Sequence, residues 1–209
     1  MAATDKLIEL FRDFPGIGPR QARRFVYFLL GRDQSYIREL TEGLSELKNS
    51  IRVCSNCFRF FAKDAKDNSL CSICRDATRD ETLLMIVARD IDMENVEKSE
   101  TYRGLYFVLG GTVPILEKDP ERRVRIKELK NRVKKDIEKS GAKKLKEIIL
   151  GMSFNPEGEN TARFVQDELK KIEDISSLRF SHLGRGLSTG TELEYSDPET
   201  LKNALENRR

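Results

Sequence analysis

Leu83-Leu84-Met85-Ile86-Val87-Ala88, followed at once by Arg89-Asp90, decides the fold of this 209-residue chain. An unbroken apolar run of this length suits a strand buried on both faces, because a strand with one wet face alternates apolar and polar residues. The pattern then switches to helix over Asp90–Glu100 and back to a second buried strand over Leu105–Gly110. Pro120–Lys139 predicts a long basic helix with Ile126, Leu129, Val133 and Ile137 on its inner face. Glu147–Met152, Glu157–Ile172 and Leu178–His182 read as strand, helix and short strand. Strands separated by helices imply a mostly parallel sheet covered on both faces. Beyond it, the Gly/Ser/Thr-rich loop Gly184–Thr191 leads to Asp197-Pro198, which opens a last helix over Glu199–Asn207.

Upstream of the sheet the pattern is helical. Leu7, Leu10, Phe11 and Phe14 recur at helical spacing, and Phe14-Pro15-Gly16-Ile17-Gly18-Pro19 then forces a sharp turn. The next helix puts Ala22, Phe25, Val26 and Leu29 inside, and Pro19 suits its first turn, where a missing N–H costs nothing. In a third helix Ile37, Leu40, Leu44, Leu47 and Ile51 form a seam suited to another helix, from this chain or a second subunit. The fold class is therefore α/β with small extra domains. Its parts are 1–51 helical, 52–79 cysteine-bearing, 80–178 the sheet domain, and 179–209 a C-terminal strand, loop and helix.

Composition narrows the function classes. Apolar residues make up 38% of the chain, and no apolar run reaches the roughly 18 residues that span a bilayer. Met1–Lys6 carries no readable secretory signal, so the cytosol is the expected compartment. Net charge is only +3, but it is unevenly spread. Residues 117–146 hold 13 Lys and Arg against 6 Asp and Glu, and residues 1–79 hold 14 against 10. Basic blocks of this kind suit a phosphate-bearing partner, or simply a solvated helix face. The sole histidine, His182, excludes any site that needs two.

Cys54-x2-Cys57 and Cys71-x2-Cys74, thirteen residues apart, use every cysteine in the protein. Two such pairs can close a tetrahedral thiolate site for one Zn2+, with no position left for water or substrate, so the metal is structural. Two disulfides are the alternative, which a reducing cytosol disfavours. The second motif is Pro15-Gly16-Ile17-Gly18-Pro19-Arg20, set between two helices. Gly16 and Gly18 allow a tight turn and close approach, and the following helix N-terminus attracts anions. Arg20 and Arg24 share a helix face with Arg23 beside them, which suits the DNA backbone. A plain helical hairpin could use the same glycines; the flanking Pro and Arg residues favour DNA contact.

These motifs, in this order, resemble the RecR family of bacterial recombination mediators. The resemblance extends through Tyr106-Phe107-Val108-Leu109-Gly110, Glu157-Gly158-Glu159-Asn160-Thr161-Ala162 and Arg185-Gly186-Leu187, followed by Gly190, Leu193, Glu194 and Tyr195. It implies a helix-hairpin-helix, a four-cysteine zinc finger and a Toprim domain, assembled as a ring-shaped homotetramer that clamps DNA. It implies work with RecO, and RecF where present, to load RecA at single-stranded gaps coated by single-strand binding protein. By position, Arg20 and Arg24 are its DNA contacts, and the acids Glu157 and Glu159 help to contact RecO.

The chain departs from a working Toprim site. The glutamate expected at the end of the first strand is absent, since Met85-Ile86-Val87 runs into Ala88-Arg89-Asp90. Asp90 and Asp92 are out of register, and Arg89 would oppose a cation. Asn155-Pro156 is shifted directly against Glu157, and Ser188 stands where the family loop has proline. These departures weigh against a Mg2+ site, which needs converging carboxylates. A non-enzymatic DNA clamp is therefore expected over a Toprim nuclease, primase or strand-cleaving enzyme. A zinc-bearing interaction module without DNA affinity is the third possibility.

Overall fold

The computed structural model describes residues 3–63, 68–139, 141, 144–173, 175–184, 186–187, 190 and 192–206. Arg185 and Ser188 of the C-terminal loop lie outside the described residues. The chain divides into two compact units, Met1–Ile51 and Arg52–Arg209.

The first unit is three helices: α1 (Ala3–Arg12), α2 (Pro19–Leu30) and α3 (Gln34–Ser50). Phe14 falls outside α1; it stacks on Phe11 with ring centroids 5.9 Å apart, and Phe11 meets Phe25 edge-on at 5.6 Å. Of the expected inner face of α2, Ala22 and Val26 are buried and Phe25 stays 39% exposed. Asp33 caps α3 by accepting the Tyr36 N–H at 2.9 Å. Ile51 does not extend the α3 seam: its φ of −103° and ψ of 144° are extended, and it begins β1 (Ile51–Val53). Leu40, Leu44 and Leu47 remain exposed.

β1 pairs with β2 (Phe60–Ala62), and α4 (Ser72–Arg75) follows. Neither short strand has a hydrophobic period long enough to be read in advance. The main sheet contains β3 (Asp80–Val87), β4 (Gly104–Val108), β5 (Glu147–Gly151) and β6 (Arg179–His182), in the order β4-β3-β5-β6 and parallel throughout. Between the strands run α5 (Asp90–Lys98), α6 (Ile126–Glu138) and α7 (Pro156–Lys170), and α8 (Pro198–Glu206) comes last. The single helix expected over 120–139 is broken. A 3-10 turn at Pro120–Arg122 precedes α6, because the backbone leaves helical geometry at Arg125, φ −76° and ψ 54°, whose N–H bonds the Leu109 carbonyl instead, at 3.0 Å.

Side chains alternate across the sheet, and the two faces have different covers. One face, with Leu84, Ile86, Phe107, Ile148 and Leu150, packs against Leu129 and Val133 of α6 and Val165 and Leu169 of α7. The other, with Met85, Val87, Tyr106 and Val108, packs against Met93 of α5 and against Cys54, Cys57, Cys71 and Ile73. The cysteine-bearing segment therefore shares a core with the sheet.

Candidate metal centre and arginine face

Two turns bring the cysteines together. In the first, the Cys54 N–H bonds the Arg59 carbonyl at 2.9 Å and the Phe58 N–H bonds the Cys54 carbonyl at 3.0 Å. Phe58 takes a left-handed conformation, φ 61°, to close it. In the second, Cys71 precedes α4 and Cys74 lies within it. The four sulfurs all lie within 4.8 Å of one another, and three of the four cysteines are fully buried. Cys57 and Cys71, one from each pair, approach to 3.6 Å. A tetrahedron with Zn–S bonds of about 2.3 Å has edges of about 3.8 Å, whereas a disulfide needs about 2.05 Å. The cysteines are free of disulfides, so the donor set fits one tetrahedral cation. Contact with Cys57 lowers the Cys54 thiol below the usual range, and the same contact raises that of Cys57. The Cys71 N–H also points at the Cys54 sulfur, 3.4 Å away.

The centre is tied to the sheet by backbone and by arginines that the sequence did not single out. The Val108 N–H donates to the Cys57 carbonyl at 2.8 Å. Arg125 donates to the carbonyls of Phe58, 3.2 Å, and Val108, 3.1 Å. Arg132, 6% exposed, donates to the Asn56 carbonyl at 3.0 Å and pairs with Asp136 at 2.5 Å. Asp90 accepts the Phe60 N–H at 2.7 Å.

That last bond bears on the Toprim acids. Asp90 serves the cysteine segment, and Asp92 accepts the Arg89 N–H at 3.0 Å, capping α5. Ala88 is buried. Glu157 and Glu159 lie exposed in the first turn of α7, where Glu157 accepts the Thr112 hydroxyl at 3.2 Å. The rest of the Glu157–Ala162 string is structural. A Cβ at Gly158 would run into the Ser153 carbonyl oxygen. Asn160 donates to the Val113 carbonyl at 3.0 Å, and buried Thr161 accepts the Val113 N–H at 2.8 Å. Glu159 borders a hollow with Phe154, Arg163, Gln166 and His182. Among the described residues the four cysteines are the one cluster of three or more potential metal ligands.

The arginine face belongs to the helical unit. Gly16 has φ +78°, which a side chain would strain, so the turn requires glycine there. Gly18 is extended, φ −85°, and caps α2 with open space around it, so it leaves room for approach. Arg20, Arg23 and Arg24 are all exposed on α2. Arg24 bonds Gln21 at 3.4 Å, and no carboxylate pairs with any of the three among the described residues.

Comparison with known proteins places these features. Residues 4–48 match the family described as "RecR, helix-hairpin-helix", 82–180 the Toprim domain, and 186–209 "RecR, C-terminal". The chain is 37% identical over 204 residues to Recombination protein RecR of Gloeobacter violaceus, covering 98% of this chain and 95% of that protein. It is 36% identical over 208 residues to that of Chloroflexus aggregans, covering 100% and 94%. With that of Ureaplasma parvum it shares 34% over 205 residues, covering 98% and 94%.

Proposed function

The chain belongs to the RecR family of recombination proteins, and from that premise we propose that it is a non-enzymatic DNA clamp of recombinational repair. In this proposal it acts in the cytoplasm as a ring-shaped homotetramer. With RecO, and RecF where present, it loads RecA at single-stranded gaps. Residues 1–51 contact DNA without reading sequence, through Arg20, Arg23 and Arg24 around the Gly16–Gly18 turn. Residues 52–79 hold one structural Zn2+ through Cys54, Cys57, Cys71 and Cys74. Residues 80–178 form the Toprim domain, whose Glu157 and Glu159 face RecO, and 179–209 complete the chain.

The observation that carries DNA contact is the set of three exposed guanidiniums with no carboxylate against them among the described residues, beginning at a turn that a phosphate can approach. Nonspecific contacts of this type give Kd values on the order of 10⁻⁴–10⁻⁶ M for one site and weaken steeply with salt. Several hairpins in one ring raise affinity without new contacts. A fluorescence-anisotropy titration at several salt concentrations tests this. Arg20→Glu with Arg24→Glu should abolish binding and leave zinc content and circular dichroism unchanged. Wild-type affinity in the double variant would make the hairpin a structural turn and move the DNA contact to the basic stretch Arg122–Lys139, whereas no binding by the wild-type protein would leave a zinc-bearing interaction module as the better description.

The lack of catalysis is supported by Ala88 and by the structural bonds that occupy Asp90 and Asp92. Supercoiled plasmid incubated with Mg2+ or Mn2+ should stay intact. Nicking that disappears in Glu157→Gln would overturn this part of the proposal.

A further inference from the structure

α2 places more than arginines on its exposed face. Tyr27 lies seven residues after Arg20, four after Arg23 and three after Arg24, so all four share one side of the helix. With Pro19 and Phe28 they line an open hollow of about 760 Å3. The two aromatic rings there differ in what covers them. Phe28 meets Tyr36 edge-on at 6.0 Å, and the Arg32 guanidinium sits 4.1 Å above its ring. Tyr27 is 67% exposed, and among the described residues no ring or cation lies against it.

Resting on the DNA-contact proposal, we infer that this face takes single-stranded DNA in preference to duplex, with Tyr27 as a base-stacking platform beside the phosphate-binding arginines. The guanidiniums supply charge complementarity to the strand, and a bare π face suits a nucleobase of any identity. A duplex cannot use that ring. Its base faces are already covered by their neighbours, so a helix gripping its phosphates meets only backbone and groove edges. Tyr27 stands about 10 Å along the helix axis from Arg20, at about 1.5 Å per residue. A single strand held at Arg20 and Arg24 can turn a base onto the ring; a duplex held there offers it none. Gln21 gives its side-chain oxygen to Arg24, and stacking accepts a base of any identity, so the preference is for strandedness and not for sequence.

The experiment compares three labelled ligands of equal length by fluorescence anisotropy at one salt concentration: a thymidine oligonucleotide, a duplex, and an abasic strand. The abasic strand keeps every phosphate and removes every base. Wild-type protein should bind it more weakly than the thymidine strand by roughly 5- to 150-fold, the equivalent of about 1–3 kcal/mol of stacking. Tyr27→Ala should lose a similar factor on the thymidine strand and less than about twofold on the duplex, while Tyr27→Phe retains wild-type binding. Equal binding of the thymidine and abasic strands by wild-type protein overturns the inference, and that arm needs no variant to fold. A Tyr27→Ala protein that loses duplex and single-strand binding alike, with a changed mass in solution, also overturns it and makes the ring a contact between subunits. If Arg20→Glu with Arg24→Glu leaves every ligand bound as before, the fault lies in the DNA-contact proposal itself.

Discussion

The arginines of α2 stand exposed and, among the described residues, without a carboxylate against them, whereas those of residues 117–146, which carry the larger positive excess, all have partners within the chain. Arg122 pairs with Asp119 and Arg123 with Glu117. Arg125 and Arg132 hold carbonyls of the cysteine segment. Lys130 pairs with Glu168 at 2.8 Å, and Lys139 with Glu81 at 2.9 Å and Asp136 at 3.0 Å. Charge counted along a sequence therefore misjudges which stretch faces phosphate. What matters is whether a cation's partner is already within the chain. The weaker excess leaves its arginines without carboxylates among the described residues, whereas in the stronger one Arg125 and Arg132 tie the cysteine segment to the sheet.

The largest effect should come from the centre those arginines support. Cys71→Ser should lose the metal and much of the folding yield, because apparent zinc binding in small thiolate sites supplies about 10–16 kcal/mol toward folding. Elemental analysis should give close to one zinc per wild-type chain. A folded, metal-free variant of wild-type stability would break the link between the centre and the shared core.

Next is the buried pair. Arg132→Leu removes a guanidinium whose side chain is 6% exposed and leaves Asp136, 4% exposed, with Lys139 alone. Breaking such a pair costs about 3–5 kcal/mol, and the retained lysine puts this case near about 3 kcal/mol. Urea unfolding of the zinc-loaded protein measures it. DNA affinity of the folded variant should match wild type, since this arginine does not face solvent.

A smaller effect is expected from the exposed lysines of α6. Lys127→Gln, Lys134→Gln and Lys135→Gln together should change DNA affinity by less than about threefold at physiological salt, where charges further apart than about 8 Å are largely screened. A loss as large as that of the Arg20 and Arg24 double variant would reverse the comparison and move the DNA face to α6.

The smallest effect is a slope. Glu97 is held below the usual carboxylate range, chiefly by its hydrogen bond with Arg79, and it also accepts the Tyr106 hydroxyl at 2.8 Å. Its folded pKa is depressed, so its contribution to stability is fully present above its ordinary value near 4.5 and is lost as pH falls through the folded value. Denaturant midpoints between neutral pH and pH about 3 should fall, and Glu97→Gln should flatten that fall while lowering the neutral-pH midpoint.

Much of this was legible from residue order alone. The apolar runs at 83–88, 105–110 and 147–152 located three buried strands because such runs have few other stable placements. The paired Cys-x2-Cys spacing located the four cysteines that the fold brings within 4.8 Å of one another, because a tetrahedral thiolate set demands short loops. Pro15 to Pro19 located a turn through backbone restriction that acts over a few residues. The short strands β1 and β2 were hidden, since three residues carry no period.

The partners that polar groups find across the fold were decided only in three dimensions. Asp90 was set aside as an acid out of register, and it proved to bond Phe60, thirty residues away in sequence. Arg125 and Arg132 read as solvated charges on a basic helix, and they reach carbonyls 67 and 76 residues upstream. Arg20 and Tyr27 gain interest for the opposite reason, because nothing in the described structure takes them up. Local chemistry and hydrophobic period are written in neighbouring residues and can be read there. Pairing depends on which distant groups the packed core brings within about 3 Å, and no window of sequence contains that distance.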